Sequence, residues 1–182
     1  MRVTGHQIQT LLKQLTSRRN LEERQFAPSL WVFEGEEKPN PIDVFKSFRT
    51  LEHQIARFQT AQSVYNNTVE VTVLEEPMTL QEAVKRVGGT MRMARLWKSL
   101  LKSDDDMPRW HKATHGELQK RSKENVYAKQ VVPTTEIMAR ALRYESEALA
   151  LRRAIQKGNN EEVDVKLFGL PAEDVKLLES LA

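Results

Sequence analysis

At 182 residues the chain is near the size of one domain, and its 40% hydrophobic residues are enough to build a core. Seven Gly and seven Pro exclude collagen-like or low-complexity character, and zero Cys excludes disulfides, thiol catalysis and cysteine-ligated metal centres. The net charge of +3 is unevenly placed: residues 85–129 hold twelve Lys/Arg against five Asp/Glu, which makes that segment +7 and the remainder −4. Such segregation favours anionic partners, namely phosphates, nucleotides or nucleic acid.

Thr4 is placed to cap a first helix whose apolar face is Ile8, Leu11, Leu12 and Leu15, continuing to about Phe26 before Pro28. Leu30-Trp31-Val32-Phe33 is rich in β-formers and runs into a turn-rich stretch, residues 34–41. Asn40 as N-cap and Pro41 as first helical residue open a second helix to about Tyr65 or Asn66. Thr68 to Leu74 alternates, with Val69, Val71 and Val73 on one side, as a half-buried strand does, and Pro77 should stop it.

Thr79-Leu80-Gln81-Glu82 has the form of a capping box for a third helix reaching about Lys102. Its Gly88-Gly89 pair, costing roughly 2 kcal/mol of helix propensity, suggests a kink or a close approach of another backbone. Ser103 to about Asn125 has no sustained periodicity and reads as a long connection. A strand over Val126 to Val132 ends at Pro133, Thr134 or Thr135 caps a fourth helix, and Gly158 stops it. A short strand at Val163 to Leu167 and a helix opened by Pro171 complete the chain.

Three helices carry apolar residues alternating four and three apart. They are Val44, Phe48, Leu51, Ile55 and Phe58; Leu80, Val84, Val87, Met91 and Ala94; and Ile137, Ala141, Tyr144, Ala148, Leu151 and Ile155. Spacing that averages 3.5 lays these side chains along one stripe per helix, the seam that packs on a partner helix. The expected fold is mainly α (α+β), with long antiparallel helices, two or three short β-strands and self-association into a homo-oligomer. The expected division is a single domain over residues 1–168 and a helical tail over 169–182. No apolar run reaches the roughly 18 residues that span a bilayer. The start Met1 to His6 has no signal-peptide core, so a cytoplasmic, membrane-free protein is expected.

Glu34-Gly35-Glu36 with Pro39 before the second helix, Asn66-Asn67-Thr68 at its end, and Met78-Thr79-Leu80-Gln81-Glu82-Ala83 opening the third are similar to the septicolysin-like family of small bacterial proteins. Tyr127 to Val132, Ala154-Ile155-Gln156 and Asn159-Asn160 extend the resemblance, which covers roughly residues 4–165. It implies helical hairpins with short strands and transfers no functional residue. The chain departs from the family pattern at Val69, where an asparagine is expected, and in lacking a tryptophan near Asn159-Asn160.

His111 and His115, four apart beside Asp104, Asp105 and Asp106, have the residue types of a metal site but lack the Glu that would follow the first His of a metalloprotease. Glu34, Glu36 and Glu37 are carboxylates in a loop where solvation is expected, and Asn66-Asn67-Thr68 matches a glycosylation acceptor that is idle without secretion. No metal, cofactor or catalytic set is therefore expected.

The basic and aromatic residues form the better constellation: Arg92, Arg95, Trp97 and Lys98 on the third helix, Arg109 and Trp110 after it, and Arg140 and Arg143 on the fourth, with Arg152 and Arg153 able to join them if the two helices are neighbours. Guanidinium forks grip phosphate oxygens, and indole faces stack on bases. The leading expectation is a non-enzymatic homo-oligomer that holds a phosphate-bearing small molecule in basic clefts between subunits. A signalling nucleotide sequestered by a phage-encoded sponge is the analogy. The alternative is a nucleic-acid-binding or scaffold protein using residues 85–129.

Overall fold

The computed structural model describes residues 1–101 and 132–180. The connection expected over Ser103 to Asn125 and all but Val132 of the strand expected after it lie outside the described residues, as do Arg109, Trp110, His111 and His115. The described residues are mostly helical, with a few short antiparallel strands in two small sheets. The elements are β1 (Arg2–Thr4), α1 (Gly5–Ser29), α2 (Pro41–Thr68), β2 (Glu70–Val73), β3 (Glu76–Thr79), α3 (Leu80–Ser99), α4 (Thr134–Gly158), β4 (Glu162–Asp164), a 3-10 turn (Val165–Phe168) and α5 (Ala172–Glu179). Two compact units result: residues 1–82 with 154–182, and residues 83–153.

In the first unit the helix starts follow from local chemistry. Thr4 Oγ1 accepts from Gln7 N–H at 3.3 Å while Gln7 Oε1 accepts from Thr4 N–H at 2.8 Å, a complete capping box. Asn40 Oδ1 accepts from Ile42 N–H at 2.9 Å, with Pro41 in the first helical position. Helix α1 runs past its expected end, because Pro28 is held in the last turn and Ser29 Oγ donates to Phe26 O at 2.6 Å. Leu30 to Phe33 joins no strand.

Helices α1 and α2 form an antiparallel hairpin, as the pairings Arg19–Glu52, Ser47–Glu22 and Phe26–Phe45 require. Val44, Leu51, Ile55 and Phe58 of the expected stripe are buried and continue through Ala61 and Tyr65, facing Ile8, Leu11 and Leu15. This stripe is therefore used within the chain.

The strand expected over Thr68 to Leu74 is shorter, and Pro77 does not end the β-structure. It lies in a second strand, with Val71 opposite Met78 and Thr72 opposite Pro77. A two-stranded ribbon has only edge strands, where a residue lacking N–H is tolerated. Leu74 and Glu75 take the turn with φ of 49° and 70°, positive at both central positions as a tight hairpin needs. The other sheet pairs β1 with β4, Val3 opposite Val163, and only the first half of the strand expected at Val163 to Leu167 is extended. Asp164 turns the rest into a 3-10 helix by accepting from Lys166 N–H at 3.0 Å, and Gly169 closes it at φ 61°.

Gly158 does end α4, but for reasons of space. A Cβ there would lie 2.7 Å from Val71 and 3.1 Å from Leu80. Below it the buried Tyr65 hydroxyl reaches Gly158 O and Glu161 O, both at 2.7 Å. The C-terminal helix is anchored by Asp174, fully buried, which accepts from Arg57 Nε and from Arg57 Nη2 at 3.1 Å, and by the buried Leu178.

In the second unit the buried side chains of α3 are Ala83, Thr90 and Ala94, with Val87 half-buried, whereas Val84 is exposed. The seam is rotated by about one residue from the most apolar stripe, since small side chains allow a closer helix approach than Val84 and Met91 would. On α4 Ile137, Ala141, Ala148 and Leu151 are buried as expected. Helix α3 is uninterrupted through Gly88 and Gly89, and among the described residues a Cβ on either would meet only the tip of Arg92, at 3.6 and 3.9 Å, so no described backbone makes the expected close approach to the pair.

Candidate functional site

The expected site residues that fall within the described chain all belong to the second unit, on α3 and α4. Cross-helix pairs run from Lys98–Glu145 to Thr90–Glu147 and Arg152–Met91, so α3 and α4 are antiparallel neighbours. Residues spaced four and three apart share a side of a helix. This spacing sorts the polar residues into two rows, one on each side of the seam.

One row is Arg86, Thr90 and Trp97 on α3 with Glu136, Arg140 and Glu147 on α4. Arg140 sits with its guanidinium 4.9 Å from the centroid of the Trp97 ring, and its Nε and Nη2 donate to Glu136 Oε1 at 3.0 and 2.6 Å. Arg86 Nε lies 3.6 Å from Glu147 Oε1, which also accepts from Thr90 Oγ1 at 3.4 Å. The cations of this row are thus engaged by carboxylates or by the indole face.

The other row makes a shallow groove of about 300 Å³, at the lower end of the range for small-molecule sites. Met91, Ala94, Ala148 and Leu149 form its apolar floor, and Arg95, Lys98, Arg152 and Glu145 its polar walls. Lys98 Nζ is paired with Glu145 Oε1. Arg152 Nη2 donates to the Met91 sulfur, a weak acceptor that carries no charge. Arg95 has no ion-pair partner among the described residues. Three cations against one carboxylate leave the groove positive, and its two guanidiniums border an apolar floor.

The structure therefore divides the expected constellation. It brings Arg95 and Lys98 together with Arg152, and it places Trp97 and Arg140 together in the opposite row. Arg92, Arg143 and Arg153 are exposed and do not line the groove. Glu145, which neutralises Lys98, was not anticipated; only its spacing of seven from Arg152 could have suggested it. No cluster of three or more His, Asp or Glu suited to a metal ion occurs among the described residues, and no helix among them is long and apolar enough to cross a membrane.

These features define a mostly helical protein with two small antiparallel sheets and a basic groove between two helices. No family model and no curated protein matches the chain. Among solved structures it is similar to a functionally unknown conserved protein from Corynebacterium diphtheriae, with a TM-score of 0.61 and 16% identity over 90% of this chain and the whole of that one. At that identity the likeness extends to the fold alone.

Proposed function

We propose that the protein is a binding protein whose α3–α4 groove takes a phosphate-bearing small molecule. The observation that carries this reading is the pairing pattern. Among the described residues Arg95 and Arg152 face the groove with no carboxylate on either, while Lys98 is matched by Glu145 and the cations of the opposite row are matched by Glu136 and Glu147. An unmatched guanidinium beside an apolar floor suits a ligand that combines an anionic group with a flat, less polar body. Holding such a ligand needs no catalytic group, so sequestration is the activity that the groove would perform.

The same pattern weighs against the nucleic-acid alternative for the described residues. A polymer backbone needs a continuous run of available cations, whereas those on the Trp97 side of the seam are already engaged.

Calorimetric titration with ATP as a representative nucleotide, and with inorganic phosphate, tests the reading. Charge-assisted hydrogen bonds contribute about 1.5–3 kcal/mol each, so Arg95→Ala with Arg152→Ala should weaken ATP binding roughly 100-fold or more. Arg49→Ala, on the exposed face of α2, should leave it unchanged. Binding of duplex DNA that falls about a thousandfold between 50 and 200 mM salt, with no ATP binding at either, would establish the alternative instead. Absence of any nucleotide, phosphate or DNA binding refutes both.

A further inference from the structure

The α1–α2 hairpin ends in a surface that no other described part of the chain covers. Leu30, Trp31, Val32 and Phe33 in the connecting loop are 55%, 76%, 60% and 71% exposed, and Ile42 and Phe45 at the start of α2 are 62% and 53% exposed. The loop is not loose. Lys38 Nζ donates to Trp31 O at 2.9 Å, pairs with Glu36 at 3.1 Å and lies 5.5 Å above the Phe33 ring, while Glu36 N–H donates to Phe33 O at 3.0 Å. A polar framework thus holds large apolar side chains out towards solvent.

Beside them Phe26, Phe45 and Phe48 line a recess of about 150 Å³ with Glu23 at its rim. A cavity of that size accepts a benzene-sized ring. Glu23 has no ion-pair partner among the described residues. The tip therefore carries a knob, Phe33 capped by Lys38, and a hole of matching size. With large side chains carrying ~150–250 Å² each, the six exposed residues present on the order of 700 Å². That exceeds the usual largest patch on a monomer, roughly 300–600 Å², and approaches the ~800 Å² per partner of a stable dimer.

We propose that this tip is a two-fold interface with a second copy of the chain, in which Phe33 of each copy seats in the Phe26–Phe45–Phe48 recess of the other. One surface that holds both knob and hole is what an isologous contact requires, because each contact is then made twice. The inference stands apart from the α3–α4 groove, none of whose residues it uses.

Sedimentation of the full-length chain tests it. The wild type should run mainly as a dimer by about 100 µM and dissociate on dilution, since interfaces of this size bind in the µM range or tighter. Phe33→Glu and Phe45→Glu should each run as monomers with unchanged helical circular dichroism. Because the chain has no Cys, mixing Phe33→Cys protein with Phe45→Cys protein under oxidation should give a cross-linked pair, and Phe33→Cys alone should give far less. A wild-type monomer overturns the proposal, as does an oligomer that survives both glutamates or a mixture that fails to cross-link. A monomer whose emission, with Trp97 and Trp110 replaced by Phe so that Trp31 alone reports, shifts to the blue with phosphatidylcholine vesicles would assign the tip to a lipid surface and overturn it too.

Discussion

Removing a single oxygen from Tyr65 gives a sharp test of what closes the first unit. The ring is fully buried, and its hydroxyl has one proton to share between Gly158 O and Glu161 O, both at 2.7 Å. In Tyr65→Phe the ring keeps its packing, and both carbonyls and the Gly5 backbone N–H lose the hydroxyl as a partner. Gly158 O retains Glu161 N–H at 3.2 Å, and Glu161 is exposed, so water can reach its carbonyl. The cost should stay near the net worth of the hydrogen bonds lost, about 1–2 kcal/mol. In a chain of this length that lowers the melting temperature by roughly 2–8 °C.

A pH signature accompanies this loss. Burial pushes the Tyr65 hydroxyl above its usual value of 10.0, and Glu161 adds to the shift against a lowering hydrogen bond with the Gly5 backbone. The folded state therefore favours the neutral phenol. Its contribution is complete below pH 10, the unfolded value, and is lost as pH rises from there through the higher folded value. Thermal melts followed by circular dichroism between pH 7 and 11 should show a steeper alkaline loss in the wild type than in Tyr65→Phe. Equal melting temperatures at pH 7 and parallel alkaline limbs would refute the assignment.

Glycine substitutions should move stability in opposite directions by position. Gly158→Ala places a Cβ 2.7 Å from buried Val71 and should cost about 1–3 kcal/mol in denaturant titration, whereas Gly88→Ala and Gly89→Ala meet, among the described residues, only a flexible Arg92 and should each stabilise by about 0.5–1 kcal/mol. Asp174→Ala should destabilise by about 2 kcal/mol, read as a shifted urea midpoint. That is less than the ~3–5 kcal/mol for breaking a fully buried pair, because the Arg57 side chain is 35% exposed and can return to water. Asp164 is held below the usual carboxylate range by the Lys166 backbone N–H and by nearby positive charges. The β4 turn should therefore be firm above the ordinary Asp value and weaken as pH falls through the lower folded one, a loss absent in Asp164→Ala and measurable by amide exchange at Lys166.

What could be read from the sequence was whatever is decided within a few residues. Thr4, Asn40 and Thr79 announce their helices because a cap is made by the residue itself and its neighbours two or three further on. Strand β1 carries no such signal: its three residues pair with β4 some 160 positions away and are too few to show alternation. Strand β3 was hidden twice, by Pro77 and by a Leu74-Glu75 turn without the Asn-Gly or Asp-Gly that usually marks a tight hairpin. In the α3–α4 groove the cations were legible but their grouping was not. Trp97 and Lys98 are adjacent in sequence and fall on opposite sides of the seam, and only the rotation of α3 about its axis decides which faces the groove.

That rotation also bears on assembly. Counting apolar residues along α2 identifies a seam without saying whose helix fills it. Here Leu51, Ile55 and Phe58 are already covered by α1 of the same chain, so they have nothing left to offer a second copy. Surface for association has to come from positions off the stripe. Ile42 and Phe45 are two before and one after Val44, and Trp31 and Phe33 belong to no helix, so a heptad count passes over all four. They remain exposed while every buried position of the stripe is satisfied, and it is this contrast, rather than the periodicity, that points to the hairpin tip as the place where another molecule would dock.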